Sequence, residues 1–318
     1  MNRQHDKPRY PFKVAFLHPG YWPTWLGLGV FALMSLLPIA VLDSLGERLG
    51  RVAAKKNRKR FAIVKTNLSL CFPDRTPEEI ETMVYRAFEA QFRSLLHYCG
   101  IFWWPEARLR RHINRQGFEQ IEKYRAEGKN VIALLSHHVG LDFGGISIAM
   151  DYYAGTVYKV LRNPVMNWKM ANGRLRFARR HGGELFVRED GLRPLIRATR
   201  KGAVLIYLAD EDLGQQHSVF APFFGVPKAT LPVLGRLAQS CKAVVLPCYS
   251  CYDRDKRRYN ITMLPPVTGL SASDDVQDAT LMNQAIEKTV LACPEQYLWT
   301  LRYFQTRPEG EASLYEQA

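Results

Sequence analysis

Three signatures of nucleotide and nucleophile chemistry are missing from this 318-residue chain. No G-x-S-x-G occurs, so the strained turn that presents a serine nucleophile in α/β hydrolases is absent. No G-x-x-x-x-G-K-[ST] and no G-x-G-x-x-G occur either, which removes the phosphate-cradling loop and the dinucleotide fingerprint. Acidic residues are in deficit: 30 Asp and Glu stand against 44 Lys and Arg, a net charge of +14. That surplus favours an anionic partner: nucleic acid, an anionic membrane, or an acidic protein or substrate. No recognised nucleic-acid module accompanies it, so no nucleic-acid partner is expected. Internal repeats and low-complexity linkers are lacking too. A hydrophobic content of 47% excludes a disordered chain.

Cysteine is sparse. The six residues Cys71, Cys99, Cys241, Cys248, Cys251 and Cys293 are scattered, and no cleavable signal sequence precedes them. Reduced thiols in a cytosolic setting are therefore expected. Cys248 and Cys251 lie three apart in the strand-like "AVVLPCYSCYD", where they face opposite sides of a sheet. That argues against a redox or zinc pair.

Charge is also absent locally. From Val14 to Leu42 there is no Asp, Glu, Lys or Arg. As a helix, Trp25 to Leu42 would cover roughly 27 Å, about the hydrocarbon thickness of a bilayer. Tyr21, Trp22 and Trp25 crowd its start as interfacial aromatics do, and Pro38 is tolerated in membrane helices. Arg48, Arg51, Lys55, Lys56, Arg58, Lys59 and Arg60 follow, against Arg3, Lys7, Arg9 and Lys13 before it. The expectation is a membrane anchor over residues 1–45, spanning or interfacial, with the rest on the cytoplasmic side. The basic flank would hold anionic lipid headgroups.

Residues 46–115 read as a basic helical segment and one long helix packing on the core. Thr76 is an N-cap, Pro77 suits the first helical position, Glu79 completes a capping box, and Gly100 marks the end. Residues 116–318 alternate short β-type runs with helical stretches. The runs are 131–136, 156–161, 184–188, 204–209, 243–251 and 259–264, and the last two are suited to an antiparallel hairpin. The fold class expected is α/β, with a mixed, mostly parallel sheet flanked by helices and an N-terminal membrane helix.

"VIALLSHHVGLDFGG" runs a buried strand into two histidines, where open α/β sheets place their active sites. A histidine beside a carboxylate is a general base: the imidazole takes a proton near neutral pH and the carboxylate fixes its tautomer. Two pairings are open. His138 and Asp142 are four apart, the spacing of one helix face; His137 and Asp142 are five apart. "ADED" at 209–212 also ends a strand. A metal site on His137, His138, Asp142 and Asp212 would make the chain a metal-dependent membrane-bound hydrolase; the spacing is too generic to establish one. The basic "RLRFARRH", 174–181, is either a solvated helix face or a phosphate or carrier contact.

The chain resembles the bacterial lipid A late (secondary) acyltransferases, within the wider glycerolipid acyltransferase superfamily, and most of all their myristoyltransferase branch. The likeness runs through "HPGYWPTWLGLG", "NLSLCFPDRTPEE", "SHHVGLD", "RNPVMNW", "LADEDLGQQHSVFAPFFGVPKATLPVLGRL" and "PEQYLWTLRYFQTRPEG". It implies a catalytic H-x-x-x-x-D, which selects His137 and Asp142 and leaves His138 in a variable position. It further implies Arg188 as the superfamily arginine after a Gly-rich turn, with Arg162 and Arg174 as phosphate or carrier contacts. Asp210 and Asp212 fall where the superfamily binds substrate, without its usual glutamate-glycine pattern. The implied reaction moves an acyl chain from acyl carrier protein to a 3-hydroxyacyl hydroxyl of a Kdo-bearing lipid A precursor. His137 would be the base and Asp142 its holder, with no cofactor, no metal and no acyl-enzyme. A lauroyl or other chain-length preference is the sister reading, and the inner membrane is the implied location.

Overall fold

The computed structural model describes residues 10–315. Arg3, Lys7 and Arg9 of the expected N-terminal flank lie outside the described residues.

The uncharged run does not form one helix. It makes α1 (Trp22–Met34), breaks, and resumes as α2 (Ile39–Lys56). Pro38 is the N-cap of α2; it has no N–H to continue the ladder. The carbonyls left open at the break are taken from outside. Trp104 Nε1 donates to Ser35 O at 2.8 Å, and the Arg108 guanidinium donates to Ser35 O at 3.0 Å and Leu37 O at 2.8 Å. At 13 residues α1 spans only about 20 Å. α2 carries Asp43, Glu47, Arg48 and Arg51 and buries Ile39 and Leu42 in the core. Among the described residues no helix is long and apolar enough to cross a membrane. The expected N-terminal membrane helix, the single-pass anchor and the placement built on it are thereby overturned.

α2 lies along α4 (Pro77–Trp103), with α3 (Arg58–Cys71) between them in sequence. Gly46 and Gly50 permit that contact: a Cβ on Gly46 would stand 2.4 Å from Arg93 Cα, and one on Gly50 2.6 Å from Glu89 Cα. The capping box on α4 is made as expected, Glu79 N to Thr76 Oγ1 at 3.2 Å and Thr76 N to Glu79 Oε2 at 2.9 Å. The helix passes Gly100 and stops before Pro105. Gly100 instead makes room for the Trp104 ring, which a Cβ would meet at 2.6 Å.

After α5 (Glu106–Arg111) and β1 (Ile113–Gln116), the chain alternates as the sequence implied. The elements are α6 (Glu119–Ala126), β2 (Asn130–Leu135), α7 (Leu141–Ala149), β3 (Ala154–Tyr158), α8 (Pro164–Leu175), β4 (Glu184–Val187), α9 (Arg193–Arg200) and β5 (Val204–Leu208). A hairpin of β6 (Val219–Phe223) and β7 (Val226–Thr230) follows, then α10 (Leu234–Cys241), β8 (Ala243–Asp253), β9 (Arg258–Met263) and α11 (Asp275–Ala292). The main sheet has the order β1-β9-β8-β2-β5-β3-β4, parallel except for the β8–β9 hairpin. This is the mixed, mostly parallel α/β sheet expected. Alternation along β2 splits its side chains between two apolar layers: Val131, Ala133 and Leu135 face one, Ile132 and Leu134 the other.

The cysteines differ from expectation at one point. Cys251, at the far end of β8, is joined to Cys293, the C-cap of α11, by a disulfide. Cys248 faces the opposite layer, and it, Cys71, Cys99 and Cys241 are free and buried.

Candidate active site

β2 delivers Ser136, His137 and His138 to the carboxyl edge of the sheet, and Gly140 caps α7 after a short turn. Gly140 is required there by packing: a Cβ would stand 2.7 Å from the Tyr259 ring and 2.9 Å from Ser250 Oγ. The turn separates the two histidines. His138 points inward and is buried; Nδ1 meets Ser136 Oγ at 2.9 Å and Nε2 meets Thr289 O at 3.1 Å. A carbonyl can only accept, so Nε2 carries the proton and Nδ1 accepts from the serine. Burial, against weaker pulls from Asp210 and Thr289, drops its pKa to about 4. His138 is therefore a neutral, satisfied core residue.

His137 turns the other way. Its Nδ1 lies 2.7 Å from Asp210 Oδ1, and its amide donates to Asp210 Oδ2 at 2.6 Å. Tyr297 Oη donates to the same Oδ2 at 2.8 Å. Since a carboxylate only accepts, Nδ1 holds the proton and Nε2 presents a lone pair, 3.4 Å from Glu211 Oε1. Burial alone would lower the His137 pKa. The charge and hydrogen bond of Asp210, with smaller help from Glu211 and Asp142, outweigh burial and hold it above the ordinary histidine range. Asp210 is 1% exposed; burial would raise its pKa, but His137 and Tyr297 bring it down to about 2.

Asp142 does not hold the imidazole. It sits in the first turn of α7, where the helix dipole favours a carboxylate, and is clamped from elsewhere. Arg174 of α8 donates Nε to Oδ1 at 2.8 Å and an Nη to Oδ2 at 3.0 Å, and Tyr98 of α4 donates its hydroxyl to Oδ2. The geometry thus separates what the H-x-x-x-x-D motif joined: the expected His137–Asp142 bond is replaced by His137–Asp210 and Asp142–Arg174.

The remaining candidates divide. His137, Asp142, Arg174, Arg188 and Glu211 line one cavity of about 470 Å³. Its walls are Gly145, Ile146 and Ala149 of α7, Ala154 and Gly155 of β3, Leu185 of β4 and Ile206 of β5. Arg188 is exposed at the end of β4. Arg162 is exposed on the loop after β3 and is not among the lining residues. Asp212 binds its own loop and the C-terminal segment, accepting from Gly214 N at 3.0 Å and from Thr306 N at 2.7 Å and Oγ1 at 2.8 Å. His137, His138, Asp142 and Asp212 therefore do not converge on one point. The ligand-type cluster found among the described residues is His138 with Cys251 and Cys293, the last two bonded to each other.

Tyr98 and Tyr297 escaped the sequence reading. Tyr297 had a signal, since it lies in "PEQYLWTLRYFQTRPEG", one of the blocks that carry the resemblance, but no role. In the structure that block is a strap over the histidines: Val139 N donates to Gln296 O and Leu298 N to His137 O, each at 2.8 Å, and His138 pairs with Tyr297 as a single antiparallel bridge. Nothing at sequence level links Tyr98 to Asp142, 44 residues away.

The profile for the bacterial lipid A biosynthesis acyltransferases matches residues 9–306. The chain is 35% identical to the lipid A biosynthesis lauroyltransferase of Escherichia coli (strain K12), over 96% of this chain and 98% of that one. It is also 35% identical to the myristoyltransferase of the same organism, over 96% and 94%, and 33% to its palmitoleoyltransferase, over 97% and 99%. These values do not distinguish the branches, so the myristoyl assignment does not follow from them. The chain is an acyltransferase and belongs to the bacterial lipid A biosynthesis acyltransferase family.

Proposed function

We propose that the chain transfers a fatty acyl group from acyl carrier protein to a 3-hydroxyacyl hydroxyl of a Kdo-bearing lipid A precursor. The observation that carries this reading is the Nε2 of His137, facing a largely apolar cavity beside the half-exposed Glu211, with Nδ1–H on a buried carboxylate. Nε2 takes the acceptor hydroxyl proton as the oxygen attacks the thioester carbonyl. The carbon–sulfur bond then breaks, and the imidazolium returns the proton to the leaving thiolate. Asp210, not Asp142, orients the ring and stabilises the imidazolium. Neither half-reaction needs a covalent acyl-enzyme.

The cavity accommodates the acyl chain, since most of its lining is aliphatic and it falls in the size range of small-ligand sites. Asp142 and Arg174 contribute a doubly hydrogen-bonded pair to its lining. Arg188 and Lys159 are exposed cations in the lining, able to meet phosphate on the acceptor or the acidic carrier. Myristoyl is the donor to test first, against lauroyl and palmitoleoyl. Mass spectrometry of lipid A from a strain lacking the gene is the test: loss of one ester-linked acyl chain supports the reading, and unchanged lipid A refutes it.

A further inference from the structure

The charge balance behind His137 is incomplete at contact distance. The three donors on Asp210 are the His137 amide, the His137 ring N–H and the Tyr297 hydroxyl, all neutral while His137 is a free base. A buried carboxylate needs a counter-charge as well as donors. The complementary orphan is Lys228 of β7: its side chain is fully buried and Nζ has no hydrogen-bond partner. The ammonium lies 5.7 Å from the centre of the Phe223 ring, a partial compensation for lost water. That ring packs at 6.4 Å from Tyr297 and 6.3 Å from Tyr303, so Phe223 neighbours both the cation and the tyrosines of the Asp210 shell.

The acidic groups whose field reaches Lys228 are Asp210, then Asp212 and Glu211. Asp212 is occupied by Thr306 and Gly214, and Glu211 is half exposed at the cavity mouth. Asp210 is the buried one. The groups facing His137 are Asp210, Glu211, Asp142 and His138; those facing Asp210 are His137, Tyr297 and Tyr303. The nearby cation Arg307 is paired with Glu311, and Arg174 with Asp142.

We propose that Lys228 is a positioning residue that acts on the His137–Asp210 pair: its buried ammonium balances the Asp210 charge and opposes a second positive charge on His137. The inference rests on the general-base reading and extends it to a residue outside the cavity lining. Charges interact strongly across a poorly solvated interior, so contact is not required. Asp210 alone would draw a proton onto His137 and hold it there. Lys228 works against that, leaving the imidazole free to accept the acceptor hydroxyl proton. Burial pushes Lys228 down to about 8 against the pull of Asp210, so its charge is present at neutral pH and lost above.

The test uses Lys228→Met and Lys228→Gln in the full chain, with two readouts. NMR titration of the His137 ring follows the coupling itself, and the pH profile of kcat/KM follows its consequence. Both midpoints should move alkaline by about one pH unit. Activity should fall at neutral pH and recover at higher pH, and Lys228→Arg should restore the profile. In an Asp210→Asn background, Lys228→Met should still move the His137 titration alkaline, since the two cations repel directly. An unmoved His137 titration in a folded variant, or an equal loss at every pH, overturns the proposal. A shifted titration with an unshifted rate profile upholds the Lys228 coupling and refutes His137 as the base. If neither variant folds, wild-type His137 decides: a second inflection as Lys228 loses its proton supports the proposal, and its absence overturns it.

Discussion

Two adjacent histidines do opposite work. His137→Ala removes the proposed base, and kcat should fall by about 10²–10⁴-fold in a purified acyl-transfer assay. His138→Ala should leave kcat within a few-fold of wild type. It strands the Thr289 carbonyl and leaves the Ser136 hydroxyl with Thr289 Oγ1 as its one partner, so denaturant unfolding should show a loss of about 1–3 kcal/mol. The pH dependence follows from the same geometry. The His137 pKa is raised, and a base must be unprotonated, so kcat/KM should rise with pH through a midpoint above the usual ~6.5. Asp210→Asn takes away the raising charge, so the limb should move to lower pH while the maximum falls. A limb that stays in place would dissociate Asp210 from the base. The pairing itself was not legible in the sequence. Asp210 lies 73 residues from His137, and only the sheet brings the ends of β2 and β5 together. The spacing of His137 and Asp142 is real, but the carboxylate serves Arg174 and Tyr98.

At the scale of elements, the central strands were readable because they are continuous apolar, β-branched runs buried on both faces. β1, with the sequence INRQ, is a polar edge strand and gives no such pattern. β6 and β7 each contain a proline, which masks a strand in sequence. The uncharged N-terminal run misled because composition cannot show that Trp104 and Arg108 capture the carbonyls of its break. Close approach of α2 to α4 makes a sharp prediction. Gly46→Leu would force a side chain into the α4 backbone, and the unfolding free energy should fall by about 1–3 kcal/mol. α7 makes another. Ala149 lines the cavity eight residues, or about 12 Å, beyond Leu141 at the start of the helix. Ala149→Phe should shift donor preference toward shorter acyl chains in competition assays; an unchanged preference would place the chain elsewhere.

At the scale of the molecule, the fold sets a basic chain around a largely apolar slot lined by one imidazole whose Nε2 is not held by the fold's buried donors. Family membership establishes acyl transfer in lipid A biosynthesis; the donor carrier, the acceptor hydroxyl and the role of His137 are the proposed parts. The most direct measurement takes the purified full chain, an acyl carrier protein thioester and a Kdo-bearing lipid A precursor, and follows the product by mass spectrometry. The wild-type chain should add one acyl ester to the precursor, and His137→Ala, folded by circular dichroism, should add essentially none. Transfer by His137→Ala at the wild-type rate would contradict the general-base assignment outright.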